Sequence, residues 1–380
     1  MTQPLKSELL NEVKPRYLKA DKPEKQRILD EFCESTGYHR KHAVRILALG
    51  YARTLQPKRH RPIRYHRRLI NLIIRLWQLL DYPCGIRLKP QLLPLTQCLE
   101  KQGEETPLDV ADKKLLGNIS PSTLDRRLRQ ERRIRRLSKG RGTTRHGSLL
   151  KTSVPIRITN WNTRQIGFME MDTVAHCGSN LSGEFIYSLD LVEIATGWSE
   201  QIAIMGKGEA GVIRAIEAVK KGLPFTLKGL DSDTGSEFVN WHMVKFCQQN
   251  NLFFTRSRPD RKNDNAYVEQ KNYTHIRKWL GYVRYDKPEQ LNRINDLYRN
   301  ELRLFNNFFR PVMKIKEREK INNSVCRKKY DVAQTPYQRL MKSKQIPPET
   351  KSQLLQVYES LNPVTLKKEI ETKLKRILKG

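Results

Sequence analysis

At 380 residues the chain is long enough for two to four domains, and its formal net charge of +32 with a pI near 10.0 points to a polyanionic partner, most often nucleic acid. Its six cysteines form no CxxC pair, so neither a zinc site nor a disulfide framework is indicated, and no apolar run reaches the roughly 18–20 residues needed to span a bilayer. The first ten residues, MTQPLKSELL, lack a signal-peptide apolar core, so a reducing cytoplasm is the expected setting.

Residues 5–55 predict three helices. Pro23 and Glu24 open the second, which stops near Gly37; the third runs from His39 to Leu49, with Val44, Leu47 and Ala48 inward and Arg40, Lys41 and Arg45 outward. Two helices joined by a short glycine turn, the second studded with cations, fit a helix-turn-helix DNA-binding module over 1–55, as they also fit an ordinary three-helix bundle. A linker at 56–66 leads into RRLINLIIRLWQLLDYPCG, which sets Leu69, Ile73, Leu76, Trp77 and Leu80 along one helical face. Helices are expected over 92–102 and from Val110. A further helix starts at Ser120, an N-cap ahead of Pro121, with Leu124 and Leu128 inward and Arg126, Arg127 and Arg129 outward. Residues 56–137 thus predict a second helix-turn-helix module. The following stretch, 138–160, predicts a basic linker of the kind that tracks phosphates.

The charge is unevenly placed. Residues 1–166 net +21 and residues 282–380 net +12, whereas 167–281 net −1. This pattern suits an enzyme core, expected over 161–285, carried between cationic arms. Strands are predicted at 167–173, 184–192 and 197–204, a helix at 209–221, a strand at 225–231, a helix at 236–249, a short strand at 252–255 and a helix at 264–280. Three carboxylates stand out: Asp172 in GFMEMDTVAHCG, Asp233 in LKGLDSDTGSEF, and Glu269 in RPDRKNDNAYVEQKN. Asp231 is expected on the opposite sheet face. Tyr273, Ile276 and Leu280 are expected on the same helical face as Glu269, packed toward the sheet. Three acids suit phosphodiester chemistry because two divalent cations about 3.5–4 Å apart can activate a nucleophile and stabilise the leaving oxygen.

These words resemble the DDE catalytic core of retroviral integrases and of related bacterial insertion-sequence transposases. SDTGSEF at 232–238 is similar to that family's SDNGSEF, with Thr234 in place of Asn. Residues 264–269 match its DNAxxE, and 35 residues separate Asp233 from Glu269. The resemblance implies a multidomain protein: N-terminal α-helical helix-turn-helix modules, an α/β ribonuclease-H-like core with a mixed five-stranded sheet, and a mostly helical basic C-terminal region at 286–380. It implies Asp172, Asp233 and Glu269 as catalytic metal ligands, with Mg²⁺ as cofactor and Mn²⁺ as a substitute. It implies double-stranded DNA, both element ends and target, as partner, a homo-oligomer on that DNA, and a bacterial cytoplasmic, nucleoid-associated location. Lys271 and Lys278 are candidate phosphate contacts, with a solvated helix face as the equal alternative; the basic loop 256–263 is placed to meet a DNA end. A metal-dependent nuclease of the same fold and a non-enzymatic DNA-binding regulator are the alternative functions.

Overall fold

The computed structural model of the chain describes residues 1–49, 65–135, 165–233, 235, 237–257, 266–320 and 326–378; residues 56–64 of the expected linker at 56–66, the expected linker at 138–160 and most of the basic loop 256–263 lie outside these residues. Two compact units are present, 1–64 and 65–380.

The first unit is a three-helix bundle of α1 (Gln3–Lys19), α2 (Lys22–Thr36) and α3 (Arg40–Leu49). Asp21 caps α2 by accepting from the Glu24 amide at 3.0 Å, and Gly37, at φ +70°, ends it in the left-handed region. The inward face of α3 is Ala43, Ile46 and Leu47, one residue off the expected Val44–Leu47–Ala48 stripe. Both stripes include Leu47, and the observed one buries the larger Ile46 side chain while Val44 stays 40% exposed. Arg40, Lys41 and Arg45 lie on the exposed side, where Arg40 pairs with Asp30.

The second unit begins with a helical layer: α4 (Arg67–Leu79), α5 (Gly85–Leu88), α6 (Leu92–Lys101), α7 (Val110–Asn118), α8 (Pro121–Arg127) and α9 (Arg129–Ile134). All five expected residues of the α4 face are buried. Ser120 accepts from the Thr123 amide at 3.2 Å, and Leu124 and Leu128 are buried. The single helix expected from 120 bends at Leu128 (φ −81°, ψ −2°), which separates α8 from α9. Gly85 is required at the close approach of α5 to α8, because a Cβ there would collide with the Pro121 carbonyl oxygen.

The α/β core follows, with strands β1 (Phe168–Ala175), β2 (Ile186–Glu193), β3 (Ser199–Met205), β4 (Gly229–Ser232) and β5 (Phe253–Arg256) and helices α10 (Glu209–Gly222) and α11 (Trp241–Gln249). The sheet order is β3-β2-β1-β4-β5; β1, β4 and β5 run parallel and β2 is antiparallel to both its neighbours. This is the expected ribonuclease-H-like mixed sheet. One face carries Met169, Met171, Leu189, Leu191, Ile202, Ile204 and Leu230 against Val212 and Ile216 of α10 and Met243 and Phe246 of α11. Period-2 alternation sends Glu170, Asp172, Ser188, Asp190, Ser199 and Gln201 to the other face. That polar face is covered by α12 (Ala266–Lys271), a π-helical turn (Asn272–Arg277), α13 (Lys278–Leu280) and α14 (Pro288–Leu297).

The chain beyond α14 continues helically through two further π turns, 298–302 and 305–309. From this stretch Asn307 pairs with both backbone groups of Ser199 (2.9 and 2.8 Å), and Asn295 of α14 does the same for Ala203 (2.8 and 2.9 Å), closing the outer edge of β3. A two-stranded ribbon, β6 (Ile315–Lys320) and β7 (Cys326–Tyr330), precedes α15 (Pro336–Lys342), α16 (Pro348–Ser360) and α17 (Pro363–Leu378). The Thr335–Gln338 capping box starts α15. Leu366, Ile370 and Ile377 of α17 share one hydrophobic cluster with Leu69 of α4 and Phe305, so the helical layer, the polar-face helices and the C-terminal helices have a common core. Among the described residues no helix is long and apolar enough to cross a membrane.

Candidate active site

β1 addresses the Glu269 helix twice. Two residues apart on one strand face, Glu170 and Asp172 both point at the helical cover. Glu170 is fully buried and its Oε2 accepts from the amides of Tyr267 (2.9 Å) and Val268 (3.1 Å), capping the N-terminal turn of α12. Asp172 Oδ2 accepts from Asn272 Nδ2 at 2.6 Å, and its Oδ1 accepts from the Thr173 amide at 2.7 Å. Asn272 lies three residues beyond Glu269, so one helical turn joins the two acids' elements.

Asp233 follows directly on β4. Its Oδ1 accepts from the Gly235 amide at 2.9 Å. A Cβ added at Gly235 would stand 2.8 Å from Glu237 Oε2 and 2.9 Å from Asp233 Oδ1, so both carboxylates would have to shift. Glu237 is joined to β1 by Thr173 Oγ1 at 3.2 Å and stands 3.8 Å from Lys207 Nζ. It sits inside the SDTGSEF word, yet sequence reasoning gives it no role; its position between the two aspartate segments emerges only from the fold.

Asp172 keeps partial solvent contact although protein surrounds most of it. Burial and then the like charge of Asp233 push its pKa up to about 8, against the opposing Asn272 and Thr173 hydrogen bonds. The Asp172 carboxyl therefore resists carrying its charge in this position. Hard oxygen donors in that condition fit a divalent cation such as Mg²⁺, whose charge would relieve the repulsion. Glu269 stands on the first turn of α12 with its side chain exposed. Among the described residues no three His, Cys, Asp or Glu side chains are close enough to share a metal ion. The structure thus couples Asp172 to Asp233 and leaves Glu269 on the adjoining helix, facing solvent.

Three expectations need correction. Asp231 shares the polar sheet face with Glu170, its register partner, because residues 231 and 233 are two apart; it accepts from Thr255 Oγ1 at 2.5 Å. Tyr273 (44% exposed) follows Glu269 outward, whereas Ile276 and Leu280 are buried. The π turn at 272–277 widens the helix and rotates later residues away from the α-helical register. Lys271 is 7% exposed rather than on a solvated face, with Nζ 3.4 Å from His275 Nε2, and Lys278 is engaged by Asp81 at 2.8 Å.

Behind Asp172 the sheet carries a polar row, in which the sequence reading takes Asp190 as a structural acid and His176 as a strand-end residue. Asp190 is Asp172's register partner and is fully buried; it accepts from Gln201 Nε2 at 2.9 Å. Burial pushes its pKa up to about 7, against Gln201 and Lys271. His176, at the end of β1, is pushed down to about 3 by burial and is joined to Ser188 Oγ at 2.8 Å, so it is a neutral internal group.

Arg126, Arg127 and Arg129 are exposed. The bend at Leu128 gathers Arg126, Arg129, Arg132 and Arg133 around a recess of about 500 Å³, where Asp125 holds Arg132 at 2.7 Å.

A protein of Sinorhizobium fredii, described as "Uncharacterized protein y4rM", is 36% identical over 327 residues, spanning 85% of this chain and 91% of that one. The chain belongs to the y4rM family. No protein-family model matches it. Structural likenesses of this y4rM-family chain include the catalytic core of BIV integrase (16% identical, TM-score 0.27, 45% of this chain and 91% of that one). They also include the HTLV-2 integrase catalytic core in complex with magnesium (14%, TM-score 0.29, 38% and 88%). A third is the simian T-cell lymphotropic virus intasome in complex with a PP2A regulatory subunit (13%, TM-score 0.33, 67% and 76%). Likenesses of this degree carry no functional argument; the y4rM-family site is read from its own residues.

Proposed function

We propose that the chain is a DNA transposase of the DDE type, which cleaves donor ends and transfers the exposed 3′-hydroxyl strand into target DNA. The observation that carries this reading is the placement of Asp172 on β1 and Asp233 directly after the adjacent β4, where burial first and the Asp233 charge second push Asp172 up to about 8, with the Glu269 helix fastened beside them by Asn272 and Glu170. Asp172, Asp233 and Glu269 would hold Mg²⁺ or Mn²⁺, with Glu269 completing the set by turning inward. When bound, the metal supplies charge neutralisation at the scissile phosphate and lowers the pKa of an attacking hydroxyl. Asn272 orients Asp172 and Glu170 fixes the height of α12. The Gly235 backbone lets the Asp233 and Glu237 carboxylates approach one another.

DNA is the substrate on grounds of charge. The arginines around the α8–α9 bend, with Arg127 beside them, and Arg40, Lys41 and Arg45 of α3 would neutralise backbone phosphates, with helix-turn-helix docking at the element ends. Holding two ends at once calls for a homo-oligomer on DNA. A second reading, a DNA-binding regulator without chemistry, draws on Glu269 facing solvent. Incubation of the full chain with pre-cleaved donor ends, target DNA and Mg²⁺ or Mn²⁺ separates the possibilities. Joined strand-transfer product supports the transposase; cutting without joining leaves a nuclease; binding without metal-dependent cutting leaves the regulator.

A further inference from the structure

Behind the Glu269 helix lies a partly enclosed recess of about 50 Å³. That is room for roughly four water-sized spheres, the scale of one tetrahedral oxyanion. Arg87 of α5, Lys271 and His275 of the Glu269 stretch, and Arg310 and Lys314 of the segment after the last π turn line it, and no Asp or Glu does.

Apart from Asp190, which acts on Lys271 from the sheet, the acids that act on these cations are occupied by other donors. Glu193 accepts from the Ala195 and Thr196 amides (3.0 and 2.6 Å), Glu170 caps α12, and Asp331 accepts from the Lys314 amide (2.8 Å) and Arg339 (2.6 Å). Asp81 is shared among Lys278, Arg310 and Lys367. Lys314 Nζ itself donates to the Ile194 carbonyl at 2.7 Å. Lys271 is 7% exposed; burial and then the neighbouring Arg310 and Lys314 charges hold its pKa well below the usual lysine range, against Asp190, and its hydrogen bond is the long 3.4 Å contact to His275. Arg87 has no side-chain hydrogen bond or ion pair among the described residues. Cations gathered around a buried space without a lining counter-charge are costly to hold there.

We propose that this recess binds one phosphate group, either as a free ion or as part of a DNA backbone. Arg87, Lys271, Arg310 and Lys314 donate to its oxygens from three separate elements. A phosphate seated there braces the back of the stretch that carries Glu269, while Asn272 holds its front. That link to Glu269 rests on the function proposed above; phosphate binding itself does not.

The test is calorimetric titration of the full chain with inorganic phosphate, in chloride buffer of matched ionic strength and without divalent metal. One saturable site is expected, weakened at least about 10-fold by Arg87→Gln, since a hydrogen bond to a charged group is lost. Lys344→Gln, which removes one exposed positive charge elsewhere, should leave it unchanged. Arg87→Glu supplies the missing acid; it should abolish binding and raise the thermal midpoint in chloride, which also reports that the variant folds. Repeating the titration with a short duplex present assigns the source: loss of the phosphate heat marks a backbone phosphate, retention a free ion. Absence of a saturable site, or an Arg87→Gln effect no larger than that of Lys344→Gln, overturns the proposal. Neither metal nor cutting enters the measurement. Its failure leaves the proposed chemistry standing, and loss of cutting with phosphate binding intact does the reverse.

Discussion

Replacing Glu170 by alanine should loosen the helix that carries Glu269 without unfolding the unit. The carboxylate accepts from two first-turn amides, Tyr267 at 2.9 Å and Val268 at 3.1 Å, and Val268 is fully buried. Loss of an N-cap costs about 0.5–2 kcal/mol, and a buried donor left without an acceptor costs about 1–3 kcal/mol. Together these give a local destabilisation of about 1.5–5 kcal/mol. At 1.4 kcal/mol per factor of ten, the amides of α12 should exchange with solvent deuterium about 10- to 4,000-fold faster, up to the limit set by global unfolding. Peptides covering 266–280 in a hydrogen-exchange experiment read this directly, with peptides from β2 and β3 as the internal reference. Glu170→Gln keeps an oxygen acceptor and should show a smaller effect. Unchanged exchange over α12 in Glu170→Ala, with the sheet peptides also unchanged, would refute the idea that this buried carboxylate positions the helix.

The raised pKa of Asp172 makes metal-free stability depend on pH. A carboxyl at about 8 when folded and near 4 when unfolded keeps its proton longer in the folded state, so its stabilising contribution is full below pH 4 and is lost as pH rises through 8. Asp190, at about 7, acts in the same direction, so the readout is the difference between wild type and Asp172→Asn: the variant should gain on wild type progressively between about pH 4 and pH 8 and keep that gain above pH 8, where Mg²⁺ should raise the thermal midpoint of wild type but not that of the variant. Glu269→Gln and Asp233→Asn should each reduce metal-dependent DNA cutting to below roughly one per cent of wild type, and cutting that survives either would remove that residue from the site. Gly85→Ala should destabilise the second unit by about 1–3 kcal/mol in urea denaturation, because the added methyl meets the Pro121 carbonyl. Replacing Arg126, Arg127 and Arg129 together by glutamine should flatten the log–log salt dependence of DNA binding by up to about 2.7, at about 0.9 for each phosphate no longer neutralised.

Much of the core is legible in the sequence because alternation and helical periodicity are strong there. The succession of strands and helices in the core, the α4 face and the Ser120 cap follow from side-chain spacing and type, whereas the mixed five-stranded sheet follows from the family resemblance. What is not legible has identifiable causes. The rotation of the helix after Glu269 departs from 3.6 residues per turn, and nothing in NYTHIR announces a π turn. Asp190 and Gln201 look like ordinary strand residues because their neighbour Asp172 is adjacent only across the sheet. The β6–β7 ribbon is rich in Lys, Arg and Glu, which hides its alternation, and α16 shows only Leu354 as a buried residue. Asp231 is misplaced by any reading that neglects how residues two apart on a strand look the same way.

Ile377, near the far end of the chain, lies in the same cluster as Leu69. A ribosome making this protein must therefore release nearly all of residues 65–380 before that cluster can close. Until then the apolar stripe of α4 waits for its last partner, and the growing chain passes through a long interval of exposed grease. Assembly of the second unit is in this sense timed by the arrival of a single amphipathic helix, α17.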